Sequence, residues 1–137
     1  MVSAREVQFQ VAGIPAPQGS HRAFTPPGAR FPVVTDDNPN TKPWRAVVAY
    51  AAMQVRPQPL FAGAVTLTVR FYLPRPKSLP KRVQYPTKRP DIDKLQRALF
   101  DALKGIIWND DAQVTMVMAT KHYGDPGASV VVREVGA

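Results

Sequence analysis

Lys88-Arg-Pro-Asp-Ile-Asp-Lys-Leu-Gln-Arg-Ala-Leu-Phe-Asp-Ala-Leu-Lys-Gly-Ile-Ile-Trp-Asn-Asp-Asp-Ala-Gln-Val114 reads as a helix, a turn and the start of a strand. Ile92, Leu95, Leu99 and Leu103, with Ala98 and Ala102, recur every three or four residues. That spacing predicts a helix from Asp91 to Lys104 with one apolar stripe. Asp91 follows a proline and takes the N-cap position, where its carboxylate can accept from free amides. Asp93 falls in the first turn, at the positive end of the helix dipole. Gly105 stands where a left-handed C-terminal cap belongs. Asn109-Asp110 reads as a turn, and a strand follows from Gln113 to His122. Five of the chain's ten acids (Asp91, Asp93, Asp101, Asp110 and Asp111) fall in this window, although the formal net charge is +8. Such a concentration of carboxylates opposes stability unless something cationic binds it.

Outward from this window the pattern continues on both sides. Glu6 to Val11 alternates, with Val7, Phe9 and Val11 on one face, and predicts a half-buried strand. Asn40 or Thr41 can cap a helix with Pro43 in its first turn. Trp44, Val47, Val48, Ala51, Ala52 and Val55 form its apolar face, and it should stop before Pro57. Ala64 to Leu73 alternates Val65, Leu67, Val69 and Phe71 with polar residues, a strand rich in β-branched side chains. Gly124-Asp-Pro-Gly127 predicts a hairpin turn and Ala128 to Val135 a last strand. The order is β-α-β-α-β-β: one small α/β (α+β) domain over residues 1–137, two main helices on a mixed four-stranded sheet. Two proline-rich stretches, about 13–40 and 74–90, are long loops, and the first is too long for an ordinary connection and reads as functional or mobile. Phe24 and Phe31 would anchor the first.

The totals narrow the chemistry. A chain of 137 residues with 45% hydrophobic and 20% charged residues fits one globular domain. No cysteine is present, which excludes disulfides and thiolate chemistry, and His21 and His122 are too few for a multi-histidine zinc site. No apolar run approaches a membrane span, and the first residues show no apolar signal core. A soluble cytoplasmic protein without a membrane partner is expected. A pI near 10.2 points to a polyanion, nucleic acid first. The 74–90 loop carries Arg75, Lys77, Lys81, Arg82, Lys88 and Arg89 with no acid opposing them, and reads as a phosphate-binding arm.

The aspartates have plain explanations to weigh. Asp91 and Asp93 suit a helix start, and Asp93, Arg97 and Asp101 at i, i+4, i+8 could form a surface ion-pair ladder. Asp110 would shape the turn. Three converging carboxylates without Cys or His would suit a hard ion such as magnesium or manganese. Whether Asp111 reaches Asp91 is not fixed by spacing. Trp44 and Trp108 read as core, Met116 and Met118 as strand packing, and His122 as structural.

Arg-Pro-Asp-Ile-Asp-Lys-Leu, then Leu-Phe-Asp-Ala-Leu-Lys-Gly-Ile-Ile-Trp-Asn-Asp-Asp-Ala-Gln-Val, resembles the signature of the RusA family of Holliday junction resolvases. The segment around Gln18-Gly-Ser-His-Arg22 fits more loosely. The resemblance implies a dimeric Mg2+-dependent endonuclease, with Mn2+ as a substitute, making paired cuts in four-way DNA junctions during recombination and repair. A bacterial or phage-encoded protein is implied. Asp91, Asp93 and Asp111 match the family's essential, metal-binding carboxylates. Arg97 stands where the family usually has a catalytic lysine, and Lys94 where it usually has asparagine. Arginine keeps the charge but in a fixed planar fork, so the exchange is not neutral. In this reading Arg97 stabilises charge at the cut phosphate, while Arg22, Arg75, Lys77, Lys81, Arg82, Lys88, Arg89 and Lys94 hold DNA, aided by Arg30, Lys42 and Arg45. The alternative is a family member impaired in catalysis that acts as a structure-selective DNA-binding module.

Overall fold

Val65, Leu67, Val69, Phe71 and Leu73, every second residue of Ala64–Leu73, are buried, and the alternate residues are not. Each such side chain contributes about 1.5–3 kcal/mol by leaving water, so this alternation decides which face of the sheet carries the helices. The computed structural model describes residues 5–19, 21–36 and 38–136. In chain order the elements are strands β1 (Arg5–Ala12), β2 (His21–Phe24) and β3 (Val33–Asp36), helix α1 (Thr41–Met53), strand β4 (Ala64–Leu73), helix α2 (Ile92–Leu103), a 3-10 turn (Asp111–Gln113), and strands β5 (Val114–Tyr123) and β6 (Gly127–Gly136).

The main sheet has the order β1-β6-β4-β5, with β5 parallel to β4 and the other neighbours antiparallel. The helices cover one face, α1 nearest β1 and α2 nearest β5. Trp44, Val48 and Ala52 of α1 and Leu95, Leu99 and Leu103 of α2 meet the sheet in one core. It is the single α+β domain expected, with the expected order of its main elements. No helix among the described residues is long and apolar enough to cross a membrane.

Four expectations change. The 13–40 stretch is not wholly irregular, because β2 and β3 pair into a small antiparallel sheet of their own. Its strands are four residues long, too short for periodicity to show. Phe31 is 74% exposed and anchors nothing. Gly124 to Gly127 does not join a hairpin, because β4 lies between β5 and β6. The crossing is tied to the end of β4 by Gly124 N, which donates to Leu73 O at 3.0 Å. At Gly127 a Cβ would collide with the Val11 carbonyl, so glycine is required by that close approach. Met116 and Met118 are 46% and 58% exposed rather than packed.

Candidate active site

The head of α2 begins with Asp91 in extended conformation (φ −73°, ψ 140°), the geometry of an N-cap. Its backbone carbonyl accepts the first helical bond, from Leu95 N at 3.1 Å. Its side chain accepts no capping hydrogen bond. The capping role expected for the Asp91 carboxylate is therefore not taken up. Asp93 lies in the first turn, and both carboxylates are exposed, without an ion-pair or hydrogen-bond partner among the described residues. Two free carboxylates then share the positive end of the helix dipole.

The chain entering this site is held from the sheet. Lys121, near the far end of β5, donates from Nζ to Lys88 O at 3.0 Å and to Pro90 O at 2.9 Å. Sequence reasoning passed over Lys121. The signal was its parity with Val117 and Ala119, which sets it on the helix-covered face, where a lysine must find acceptors or cover an edge.

On the other flank, Gln18 N donates to Lys94 O at 2.9 Å, and Thr41 Oγ1 donates to Pro17 O at 2.6 Å. The segment after β1 is thereby drawn between the heads of α1 and α2. A cavity of about 760 Å3 opens there, with Asp91, Arg89 and Lys94 among its lining residues.

The other sequence-derived residues separate into distinct roles. Arg97 is exposed, one turn beyond Asp93 and without a partner among the described residues. The expected ladder does not form: Asp101 pairs with Arg45 of α1 instead, at 3.4 Å. Asp110 caps the 3-10 turn by accepting from Ala112 N at 2.9 Å, and Gln113 Oε1 accepts from Asp110 N in return, at 2.8 Å. Asp111 Oδ1 accepts from the indole Nε1 of fully buried Trp108 at 2.9 Å. Asp111 lies beyond the tail of α2, twelve helical residues or about 18 Å from its head. One chain thus brings Asp91 and Asp93 together but leaves Asp111 at the opposite end. Among the described residues no group of three or more His, Asp or Glu could hold a metal.

Of the basic loop, Arg75 is committed internally. Its guanidinium donates to Val83 O and Pro80 O, both at 2.6 Å, and lies 5.5 Å over the Tyr123 ring. Lys77, Lys81, Arg82, Lys88 and Arg89 are exposed along the loop it organises. The side chains of His21, Arg22 and Phe24 lie outside the described residues.

The model of the family described as Endodeoxyribonuclease RusA matches residues 14–133. The chain belongs to the RusA family. That match spans the whole site, from the segment between the helix heads through Asp91, Asp93 and Asp111 to Lys121. A relative in Bacillus subtilis (strain 168), described as the uncharacterized protein YqaN, is 33% identical over 142 residues, covering 96% of this chain and 98% of that one.

Proposed function

We propose that this RusA-family chain is a divalent-metal-dependent endodeoxyribonuclease that resolves four-way DNA junctions by paired symmetric cuts. The observation that carries the reading is the pair of free carboxylates, Asp91 and Asp93, at the head of α2 in a strongly basic protein. Their donor set fits the magnesium typical of RusA nucleases: hard oxygen ligands, in a chain with no cysteine to offer a thiolate. Asp91 and Asp93 would hold the ion; bound there, it would supply charge neutralisation and water activation for phosphodiester hydrolysis. Arg97, exposed one turn along the same face as Asp93, would stabilise charge on the attacked phosphate. Lys121 would keep the Lys88–Pro90 backbone fixed, so that Asp91 is presented in one position. The exposed cations from Lys77 to Arg89 would bind the DNA backbone.

The third carboxylate, Asp111, would come from a second copy. β5 is an edge strand ten residues long, uncharged from Val114 to Thr120, with Met116, Val117 and Met118 exposed. Such an edge invites pairing with another chain. Ile92, Gln96 and Phe100, half-buried and four residues apart, line the flank of α2 opposite Asp101. A two-fold axis at β5 would run two α2 helices antiparallel along that flank. The head of each would then lie beside the tail of the other, Asp91 and Asp93 facing the partner copy's Asp111. A two-fold enzyme also matches the substrate, which needs one cut in each of two strands.

The test is incubation of the protein with a synthetic four-way junction and Mg2+. Paired, ligatable nicks are expected with wild type and none with Asp91→Asn. Absence of cutting with both Mg2+ and Mn2+ at low salt would overturn the assignment. Binding without cutting would favour the second reading, a DNA-binding module, which the arginine at 97 supports.

A further inference from the structure

We infer that the cavity between the heads of α1 and α2 binds one unstacked nucleobase of the DNA strand being cut. The identity of this ligand rests on the nuclease reading above. The cavity's place next to the proposed metal ligands is geometry. Asp91 forms part of its wall. A strand whose phosphate is attacked at Asp91 therefore has a neighbouring base within one nucleotide of the cavity mouth.

The walls suit a flat apolar ring. Ile14, Pro15, Pro43, Trp44, Val47 and Pro90 line the cavity, and Ile14 and Val47 are 61% and 45% exposed. Extruded bases are held in this way, between apolar or aromatic side chains. The volume, about 760 Å3, lies in the range of small organic ligand sites. The site is also preformed. The Gln18 N–Lys94 O and Thr41 Oγ1–Pro17 O bonds fix the segment after β1 between the two helix heads before any ligand arrives.

One of the lining residues also holds an unsatisfied donor. Trp44 is 4% exposed, and its indole N–H has no partner among the described residues. A buried donor left unpaired costs about 1–3 kcal/mol. The indole nitrogen itself is covered, so an occupant reaches it only when the side chains over it part. Arg89 and Lys94 line the same cavity and would meet the phosphates on either side of the base. Extrusion from a continuous duplex costs pairing and stacking on both sides, whereas beside the branch of an opened junction the stack is already broken on one side and the cost is smaller. The cavity would thereby favour cutting at the branch and make cutting depend on base identity.

Plugging the cavity tests this. Val47→Trp and Ile14→Trp each add bulk from an exposed lining position, one on α1 and one on the segment after β1, without entering the core. Each should lower cutting of an intact junction about tenfold, the scale of one lost base-stacking contact. A junction carrying an abasic nucleotide at the responsible position beside the cut should erase the deficit, so that variants and wild type cut it equally. A scan of abasic sites within three nucleotides of each cut locates that position. If neither variant slows cutting, or if the deficit persists on every abasic junction, the inference is overturned. If wild type cuts no junction, the nuclease reading fails, and the cavity is judged by affinity for the same junctions in Ca2+. A variant-to-wild-type Kd ratio near tenfold on intact DNA and near one on abasic DNA supports the base site. A ratio indifferent to the abasic nucleotide removes it.

Discussion

A carboxylate at an N-cap usually accepts from the first-turn amides, and truncating it to alanine costs about 1 kcal/mol. Asp91 makes no such bond, whereas Asp110, at the head of the 3-10 turn, makes it and sits in a reciprocal capping box with Gln113. Asp110→Ala should therefore lower unfolding free energy in urea by about 1 kcal/mol, and Asp91→Ala by clearly less. Equal losses would return Asp91 to a structural role. Glu134 makes one contribution to stability that depends on pH. Arg5 Nε donates to its carboxylate at 3.0 Å, and the amides of Gly63 and Ala62 also donate, holding its pKa below the usual 4.5. The folded state thus favours the ionised form. Its contribution is present above the unfolded pKa and is lost as pH falls through the lower folded value. Glu134→Gln should unfold at lower urea than wild type at neutral pH, and the gap should close in acid below the ordinary carboxylate range. At this scale the sequence was legible in the turn at Asp110 and the left-handed Gly105 (φ 82°), though not in the side-chain cap expected of Asp91. It was silent where partners are remote, as for Asp101 with Arg45 and Lys121 with Pro90.

Elements were read more surely than their neighbours. The two helices and the four main strands follow from periods of 3.6 and 2 together with glycine and proline punctuation, signals that lie within each segment. Which strand pairs with which is not written in any one segment. A Gly-Asp-Pro-Gly turn reads the same whether the next strand docks beside the last one or beyond it. Here β5 takes the parallel place next to β4, so β6 must pass over to β4's other side. That parallel placement also carries Lys121 to the head of α2. Lys121→Met should free the Lys88–Pro90 carbonyls, raising amide exchange over residues 88–94 while the rest of α2 stays protected. Cutting should fall about tenfold with junction affinity in Ca2+ retained, as expected when positioning rather than binding is lost. Lys121→Arg should recover part of the rate. Unchanged exchange over 88–94 in Lys121→Met would show that the two hydrogen bonds do not hold the segment.

For the whole molecule the decisive length is that of α2. At about 18 Å it separates Asp91 and Asp93 from Asp111 by far more than one ion can span. No spacing rule in the sequence reveals this, because Asp111 is only eighteen positions beyond Asp93 and a tighter return would have joined them. Two proposed sites shared across a two-fold give a result that sites within single chains cannot. In a mixed dimer of Asp91→Asn and Asp111→Asn chains, one site carries both substitutions. The other draws Asp91 and Asp93 from the second chain and Asp111 from the first, and is intact. Each variant alone should be inactive. Mixed in equal amounts and allowed to exchange subunits, they should regain single-strand nicking of a junction, with about half of the dimers carrying one working site. Paired cuts should not return, since no mixed dimer has two. Met118→Lys, which puts a charge in the middle of the β5 edge, should yield monomers in sedimentation and block the recovery when carried by both chains. Continued inactivity of the mixture, with exchange verified by mass, would mean that Asp111 acts within its own chain or not at all.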